Sequence, residues 1–501
     1  MSRTSRLFVR VGIALLLAVS SRPLIAADGL ELYRGARQPG DSTTRFVVRG
    51  ARPGEPVMLL VVTASTENPI ETATLVDTKR ADRAGGVFFE LARGAIPEDE
   101  ALQARALVQR RDVASPILSN ALALRPEPAL DLLVDDAGGA ARVLRFTPDG
   151  GLDVLRREST DRDGVLAALE SGAVAQDRGV LVATDGRPID RFGPLERTVD
   201  LLTTPDESAL VALTSEPLPS GASLLRLRLL DALSPSRSVG SIEVLRGVAR
   251  TETAYLVPSS DSHRVFVVDP AGSVREVMLG AELVRGITLL PFVAESDAAG
   301  SPRELLRKLR AWGDRLVAVV RNDDRSRGDR SRIVSADLRR RAALVEWPVA
   351  GRIVDFDVVE REGHPFVIAS IEEGGLLLVD LESGATDSIA LPGATLVEAD
   401  ARRRDVYVVS SSAQGSVVSH LDVATRTLAP LALEGIAPSV VQCGLFGDDE
   451  RPWLYVVDRG ESATDDRLLT LELDPDSGLA ATAANFGVES LHGRVRRLAA
   501  R

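Results

Sequence analysis

The chain is 501 residues long, 45% hydrophobic and 26% charged, with a net charge of −12 and one cysteine. That acidity argues against nucleic acid or an anionic membrane as a partner, and the lone Cys443 excludes an internal disulfide. The length suffices for two or three hydrophobic cores.

At the start, Arg3, Arg6 and Arg10 precede the apolar run Val11–Val19, and Ala26-Ala27 follows shortly after. This is the pattern of a secretory signal covering residues 1–27, so the expected location is the periplasm or the outside. The run is too short to span a bilayer, and no later stretch approaches transmembrane length. Removing the segment takes away four arginines and no acid, which moves the charge from −12 to −16.

Residues 28–127 hold seven β-like runs: 30–33, 44–48, 57–62, 72–76, 87–91, 102–108 and 117–124. Turn signals such as Pro39-Gly-Asp41, Pro53-Gly-Glu-Pro56 and Ala84-Gly-Gly86 separate them. The pattern predicts a seven-stranded β-sandwich. Arg125-Pro-Glu-Pro128 is then a short stiff linker.

From residue 128 to 501 one phrase recurs: an apolar strand, a polar turn, a second strand ending near Asp or Arg, and a third ending at Gly. It appears as Tyr255–Val277, as Leu316–Val320 with Arg332–Asp337, as Phe366–Ser370 with Leu376–Asp380, as Val406–Ser410 with Ser416–His420, and as Leu454–Asp458 with Leu468–Glu472. The last copy continues into Leu479–Ala483. Gly351, Gly393 and Gly435 recur at the interval of one four-stranded propeller blade. Weaker copies start at Leu132 and Leu210, and a degraded one surrounds Val180–Thr184. The expected fold is therefore an all-β propeller with seven blades favoured and eight allowed. Ile353–Asp357 and Ala394–Glu398 read as innermost strands. Val495–Ala499 has no later partner and the first copy lacks an inner strand, so the C-terminal strand is expected to close the first blade.

Ser301-Pro-Arg-Glu-Leu-Leu-Arg-Lys-Leu-Arg-Ala-Trp312 breaks the pattern. Ser caps, Pro takes the first turn, and Leu305, Leu306, Leu309 and Trp312 recur at helical spacing, so a helical insertion is expected there. Cys443 sits in an inner-strand pattern and reads as a buried, inert thiol.

The copies Leu454-Tyr-Val-Val-Asp458, Val406-Tyr-Val-Val-Ser410 and Val267-Val-Asp-Pro-Ala-Gly272 resemble the YVTN-type, lactonase-like β-propellers of bacteria. The front domain resembles the immunoglobulin-like modules of exported bacterial proteins. These resemblances imply envelope or extracellular recognition. The leading expectation is an exported, non-enzymatic recognition protein that binds a protein or glycan through the polar loops of the propeller. The alternatives are a lactonase-like hydrolase using carboxylates at the channel mouth, and a calcium-stabilised envelope component. Apart from calcium, no cofactor is expected.

Candidate ligand-face residues lie in polar turns: Asp261, His263, Asn322, Asp323, Asp324, Glu372, Glu373, Gln414, Asp458 and Glu461. Such residues also favour turns for their own sake. The segment Ser159–Glu170 imitates a calcium loop, with Asp161, Asp163 and Glu170 as candidate ligands, although Ser159 at the first position is a poor one. Arg327-Gly-Asp329 lies in a mixed-charge loop and reads as solvated surface. The four histidines, His263, His364, His420 and His492, fall in different copies.

Overall fold

The computed structural model describes residues 30–500 apart from 35–42, 64–72, 84, 93–101, 111–112, 114–115, 120, 124–127, 136–140, 160–164, 170–171, 178–179, 184–187, 192–195, 205–208, 232–237, 249–253, 260–263, 270–272, 280–283, 289–303, 323–329, 340–344, 362, 401–404, 432, 434–438, 448–450, 460–464, 476 and 481–485. The segment 1–27 expected to be a secretory signal and the Arg327-Gly-Asp329 loop lie outside the described residues. Every element named within them is a β-strand. The chain divides into two compact units, with the break after residue 126.

In the first unit, Glu31–Arg34, Thr43–Arg49 and Val87–Ala92 form one sheet. Thr74–Arg80, Pro56–Thr63, Leu102–Val108, Ile117–Leu118 and Leu122–Ala123 form the other. Alternation sends Phe46, Val48 and Phe89 of the first sheet into one buried cluster with Val57, Leu59, Ala104 and Ala106 of the second. Two apolar faces thus close on each other, as sandwich packing requires. The last run is split into two short strands around Ser119, whose hydroxyl accepts the Ala106 N–H at 2.8 Å.

In the second unit the described residues carry eight four-stranded antiparallel sheets. Their innermost strands are Arg494–Ala500, Leu166–Leu169, Arg197–Thr203, Tyr255–Pro258, Glu304–Trp312, Ile353–Arg361, Ala394–Asp400 and Val440–Gly447. Each inner strand neighbours that of the next sheet, and Val440–Gly447 returns to Arg494–Ala500, so the ring is closed. No sheet buries its own faces; the cores lie between neighbours. Val317, Val319 and Ile333 of the fifth blade pack with Phe356, Val367 and Val379 of the sixth, and Tyr407 and Val409 of the seventh pack with Leu454 and Leu469 of the eighth. The fold is a β-propeller.

Closure is made by the C-terminal strand. Arg494–Ala500 pairs antiparallel with Leu130–Asp135 and becomes the inner strand of the first blade. Asp466 on the eighth blade fastens it: its N–H donates to the Gly493 carbonyl, and its carboxylate accepts the Val495 N–H at 2.9 Å. Arg142 donates to the carbonyls of Leu491 and His492 from the other side. Gly493 has no alternative, because a Cβ there would run into the Asp135 carbonyl.

The structure differs from the sequence reading in four places. The degraded copy around Val180–Thr184 belongs to a complete four-stranded sheet, with Leu166–Leu169 innermost and Val180–Ala183 third, so eight sheets are present among the described residues where seven blades are favoured by the sequence and eight allowed. Its strands run only four to six residues, which is why their alternation was faint. In the Tyr255 phrase, Tyr255–Pro258 is an innermost strand, whereas the matching strands of the other copies are second. The outer strand of the eighth blade is Phe486–Ser490, beyond the expected 479–483.

The fourth difference is the helix expected at 301–312, where Glu304–Trp312 is the inner strand of the fifth blade. A bulge between Leu306 and Lys308 adds one residue to the register. Leu306 and Leu309, on opposite faces of a regular strand, are thereby both buried, at 2% and 1% exposure, in one cluster. Three-residue spacing across a bulge imitates the helical period.

Candidate functional site

The same bulge recurs near the start of six inner strands: at Thr198/Asp200, Leu306/Lys308, Ile353/Asp355, Ala394/Leu396, Val440/Gln442 and Val495/Arg497. Counting from it, the second residue is Leu201, Leu309, Phe356, Val397, Cys443 or Leu498. These are apolar side chains, apart from the Cys443 thiol, that fill the space between blades. The first and third positions lean toward the next blade, and on the fifth to seventh blades they are charged: Lys308 and Arg310, Asp355 and Asp357, then Glu398 at the third position of the seventh.

These groups interlock across three blades. Lys308 Nζ donates to Asp355 Oδ1 at 2.7 Å. Arg310 grips Asp357 through Nε at 3.0 Å and Nη2 at 3.3 Å, and its Nη2 also lies 3.7 Å from Glu398 Oε2. The second oxygen of Asp355 accepts the Val397 N–H at 3.0 Å, and that of Asp357 accepts the Ala399 N–H at 3.4 Å. Asp200 on the third blade does the same for the fourth, accepting the Leu256 N–H at 2.8 Å. An innermost strand has an unpaired edge, and these carboxylates satisfy its orphan donors.

Electrostatics single out Glu398. Removal from bulk water raises its carboxyl, the Asp357 charge raises it further, and Arg310 and Lys308 only partly offset this, leaving it pushed up to about 7. Its side chain is enclosed by protein yet 30% exposed. Burial works against the Arg310 charge, but Asp357 and Glu398 outweigh it and hold the guanidinium more firmly charged than usual. Asp200 is raised by burial, with Arg497 pulling it back. Burial pushes the Cys443 thiol up, and the charges of Glu398 and Asp355 add to that.

The residues expected to line a ligand face are not brought together in this way. Asp261, His263, Asp323, Asp324 and Glu461 lie outside the described residues. In sequence the first two fall between an innermost and a second strand, whereas the other candidates fall at or between second and third strands. Asn322 ends the second strand of the fifth blade. Glu372 and Glu373 are exposed in the Ile371–Gly375 turn, where Glu372 meets Arg352 at 3.4 Å and Glu373 adopts φ 64°, in the left-handed region. Gln414 is exposed in the Ser412–Gly415 turn. Asp458 is fully buried, paired with Arg467 and accepting the Ser439 N–H, so it serves the interior of the eighth blade.

Asp161, Asp163 and Glu170 lie outside the described residues; the stretch between the last two forms the strand Leu166–Leu169. Among the described residues no group of three or more His, Cys, Asp or Glu side chains could hold a metal. His364 pairs with Glu382 on the sixth blade at 2.6 Å and His420 with Asp405 on the seventh at 3.1 Å, while His492 precedes the closing strand.

Asp200, Lys308, Arg310, Asp355, Asp357 and Glu398 were missed as functional residues. Two signals pointed to them. Lys308 is one of two lysines in the chain, and Asp355-Phe-Asp357 alternates acid with apolar in a strand whose place at the ring centre the repeat already gave.

No family model matches the chain, and no curated protein matches it significantly. Among solved structures it is similar to the dihydro-heme d1 dehydrogenase NirN in complex with DHE, at 15% identity over 74% of this chain and 75% of that one, with a TM-score of 0.47. It is similar to the periplasmic gluconolactonase PpgL of Pseudomonas aeruginosa, at 16% identity over 74% and 98%, with a TM-score of 0.40. It is also similar to AztD of Citrobacter koseri, at 15% identity over 75% and 98%, with a TM-score of 0.39. Likeness at this level assigns no activity to this chain.

Proposed function

We propose that the chain is an exported, non-enzymatic recognition protein, in which an immunoglobulin-like module of residues 28–127 precedes a propeller that binds a protein or glycan group at its central channel and the adjoining polar turns. The observation that carries this reading is the charged wall formed by Lys308, Arg310, Asp355, Asp357 and Glu398 across three consecutive inner strands. Partly enclosed charges of both signs on neighbouring inner strands are a usual means of orienting a ligand. The aspartates are engaged by cations and backbone N–H groups, which suits a rigid binding surface better than a reacting one.

A second reading, a lactonase-like hydrolase, is favoured by one observation. The Glu398 carboxyl, pushed up to about 7, is matched to general-base work near neutral pH. Thermal-shift titration of the full chain against peptides, glycans and amines, run beside lactone-hydrolysis assays, separates the two. Saturable stabilisation without turnover supports recognition. Lactone turnover that disappears in Glu398→Gln overturns it in favour of the hydrolase.

A further inference from the structure

The strand that closes the ring is held unlike the inner strands of the blades before it. Arg494–Ala500 contains no buried residue. By contrast, Ile353–Arg361 buries Ile353, Phe356, Val358 and Val359, and Ala394–Asp400 buries Ala394 and Val397. Val495, Leu498 and Ala499 of the closing strand pack only in part on the neighbouring cores. Its attachment is largely polar: Arg496 pairs with Asp135 on the strand beside it, and the Asp466 carboxylate accepts the Val495 N–H. Partly exposed ion pairs hold weakly and are screened by salt.

The hinge before this strand is strained. Residues 491–493 reverse the chain between Phe486–Ser490, the outer strand of the eighth blade, and Arg494–Ala500. The reversal puts His492 at φ 47°, in the left-handed region, where a side chain crowds the backbone. It also sets Gly493 against the Asp135 carbonyl. Straightened, the same three residues span about 10 Å and carry the strand directly away from its own blade. Short hinges under strain favour exchange over closure.

A second copy offers that strand the edge it has left, Leu130–Asp135, with Asp135 and Asp466 in place to hold it. The hydrogen bonds of the closed ring are remade between chains, and no new surface is needed.

We propose that Arg494–Ala500 exchanges between two copies of this chain, each copy's closing strand completing the first blade of the other. The inference is independent of the recognition reading but bears on it. Asp135 and Arg494 pair at the end of the propeller that carries the Ile371–Gly375 and Ser412–Gly415 turns. Copies joined by straightened hinges meet at that end, so the exposed Glu372, Glu373 and Gln414 are withdrawn into the face between them.

The test is co-refolding of full-length variants with altered latches. Asp135→Arg sets two arginines against each other and Arg496→Asp sets two aspartates, so each variant closes poorly alone. In a reciprocal exchange between them, both latches again join an arginine to an aspartate. Refolded together, the two should give a dimer with one copy of each, read by native mass spectrometry, that melts above either variant refolded alone. A mixture without that dimer overturns the proposal, whether or not each variant folds by itself. The chain carrying both substitutions matches its own latch and should behave as the wild type. If it dimerises as fully as the mixture, association uses another surface and the proposal is overturned. The hinge is tested at matched concentration. His492→Pro, with φ fixed at about −65°, should raise the dimer fraction about tenfold, and His492→Gly should lower it. A His492→Pro chain that stays monomeric and melts as the wild type does overturns the role of the hinge.

Discussion

Arg310 on the inner strand of the fifth blade holds both carboxylate oxygens of Asp357 on the sixth, at 3.0 and 3.3 Å. The Asp357 side chain is 9% exposed and has no bulk water to fall back on. Replacing Arg310 with Met leaves two carboxylates without their shared cation. Because the guanidinium itself is partly exposed, the expected cost falls between the surface and buried limits, about 2 kcal/mol, read from urea unfolding. Arg310→Met combined with Asp357→Asn should recover part of that loss, and a double-mutant cycle measures how much.

The Glu398 carboxyl binds its proton more tightly in the folded chain than in the unfolded one, where its ordinary value is 4.5. The sign follows from linkage. The stabilising contribution is fully present below about pH 4.5 and is lost as pH rises through about 7. Urea unfolding from pH 5 to pH 8 should therefore show Glu398→Gln gaining on the wild type as pH rises. A difference that runs the other way places Glu398 in a stabilising ion pair.

Removing residues 488–501 deletes the inner strand of the first blade and exposes the edge of Leu130–Asp135. The truncated chain should lose its cooperative melting transition, while wild-type melting would contradict closure by this strand. Gly493→Ala is the finer test. Its Cβ meets the Asp135 carbonyl, so the melting temperature should fall by several degrees without loss of the fold.

Leu306 and Leu309 are both buried because of the bulge between them. Each substitution by Ala should cost about 3 kcal/mol in chemical unfolding. A regular strand at this site would make one of the two nearly neutral, since alternate side chains would point to opposite faces.

Burial raises the Cys443 thiol, so little thiolate is present near neutral pH. A disulfide-exchange reagent at pH 8 should label the native chain slowly and the denatured chain at once. Rapid labelling of the native chain would mean that the eighth blade opens at its inner strand.

The propeller was legible in the sequence because strands such as Leu454–Asp458 and Val406–Ser410 repeat a buried pattern that neighbouring blades must cover. Closure was legible too, since Val495–Ala499 had no partner after it. The helix at 301–312 was misread because a bulge and a helix both bring residues three apart to one side, and local spacing cannot separate them. The channel cluster was not legible as a unit. Lys308, Asp357 and Glu398 lie up to 90 residues apart in sequence, and only the ring places their strands side by side. Asp458 misled in the other direction: an acid at the end of a strand resembles a rim residue, yet Arg467 draws it into the interior.

The closing strand also has a bearing on time. The strand Leu130–Asp135 is synthesised some 360 residues before its inner partner, and the pair Asp135–Arg496 spans 361 residues. Until then the first blade has an open edge and the eighth has no neighbour on one side. Joining ends so far apart carries a loop-closure cost that the intermediate blades must lower by stacking first. The ring therefore completes after synthesis of its last strand, and a chain halted short of that strand presents an apolar edge ready to pair with another copy.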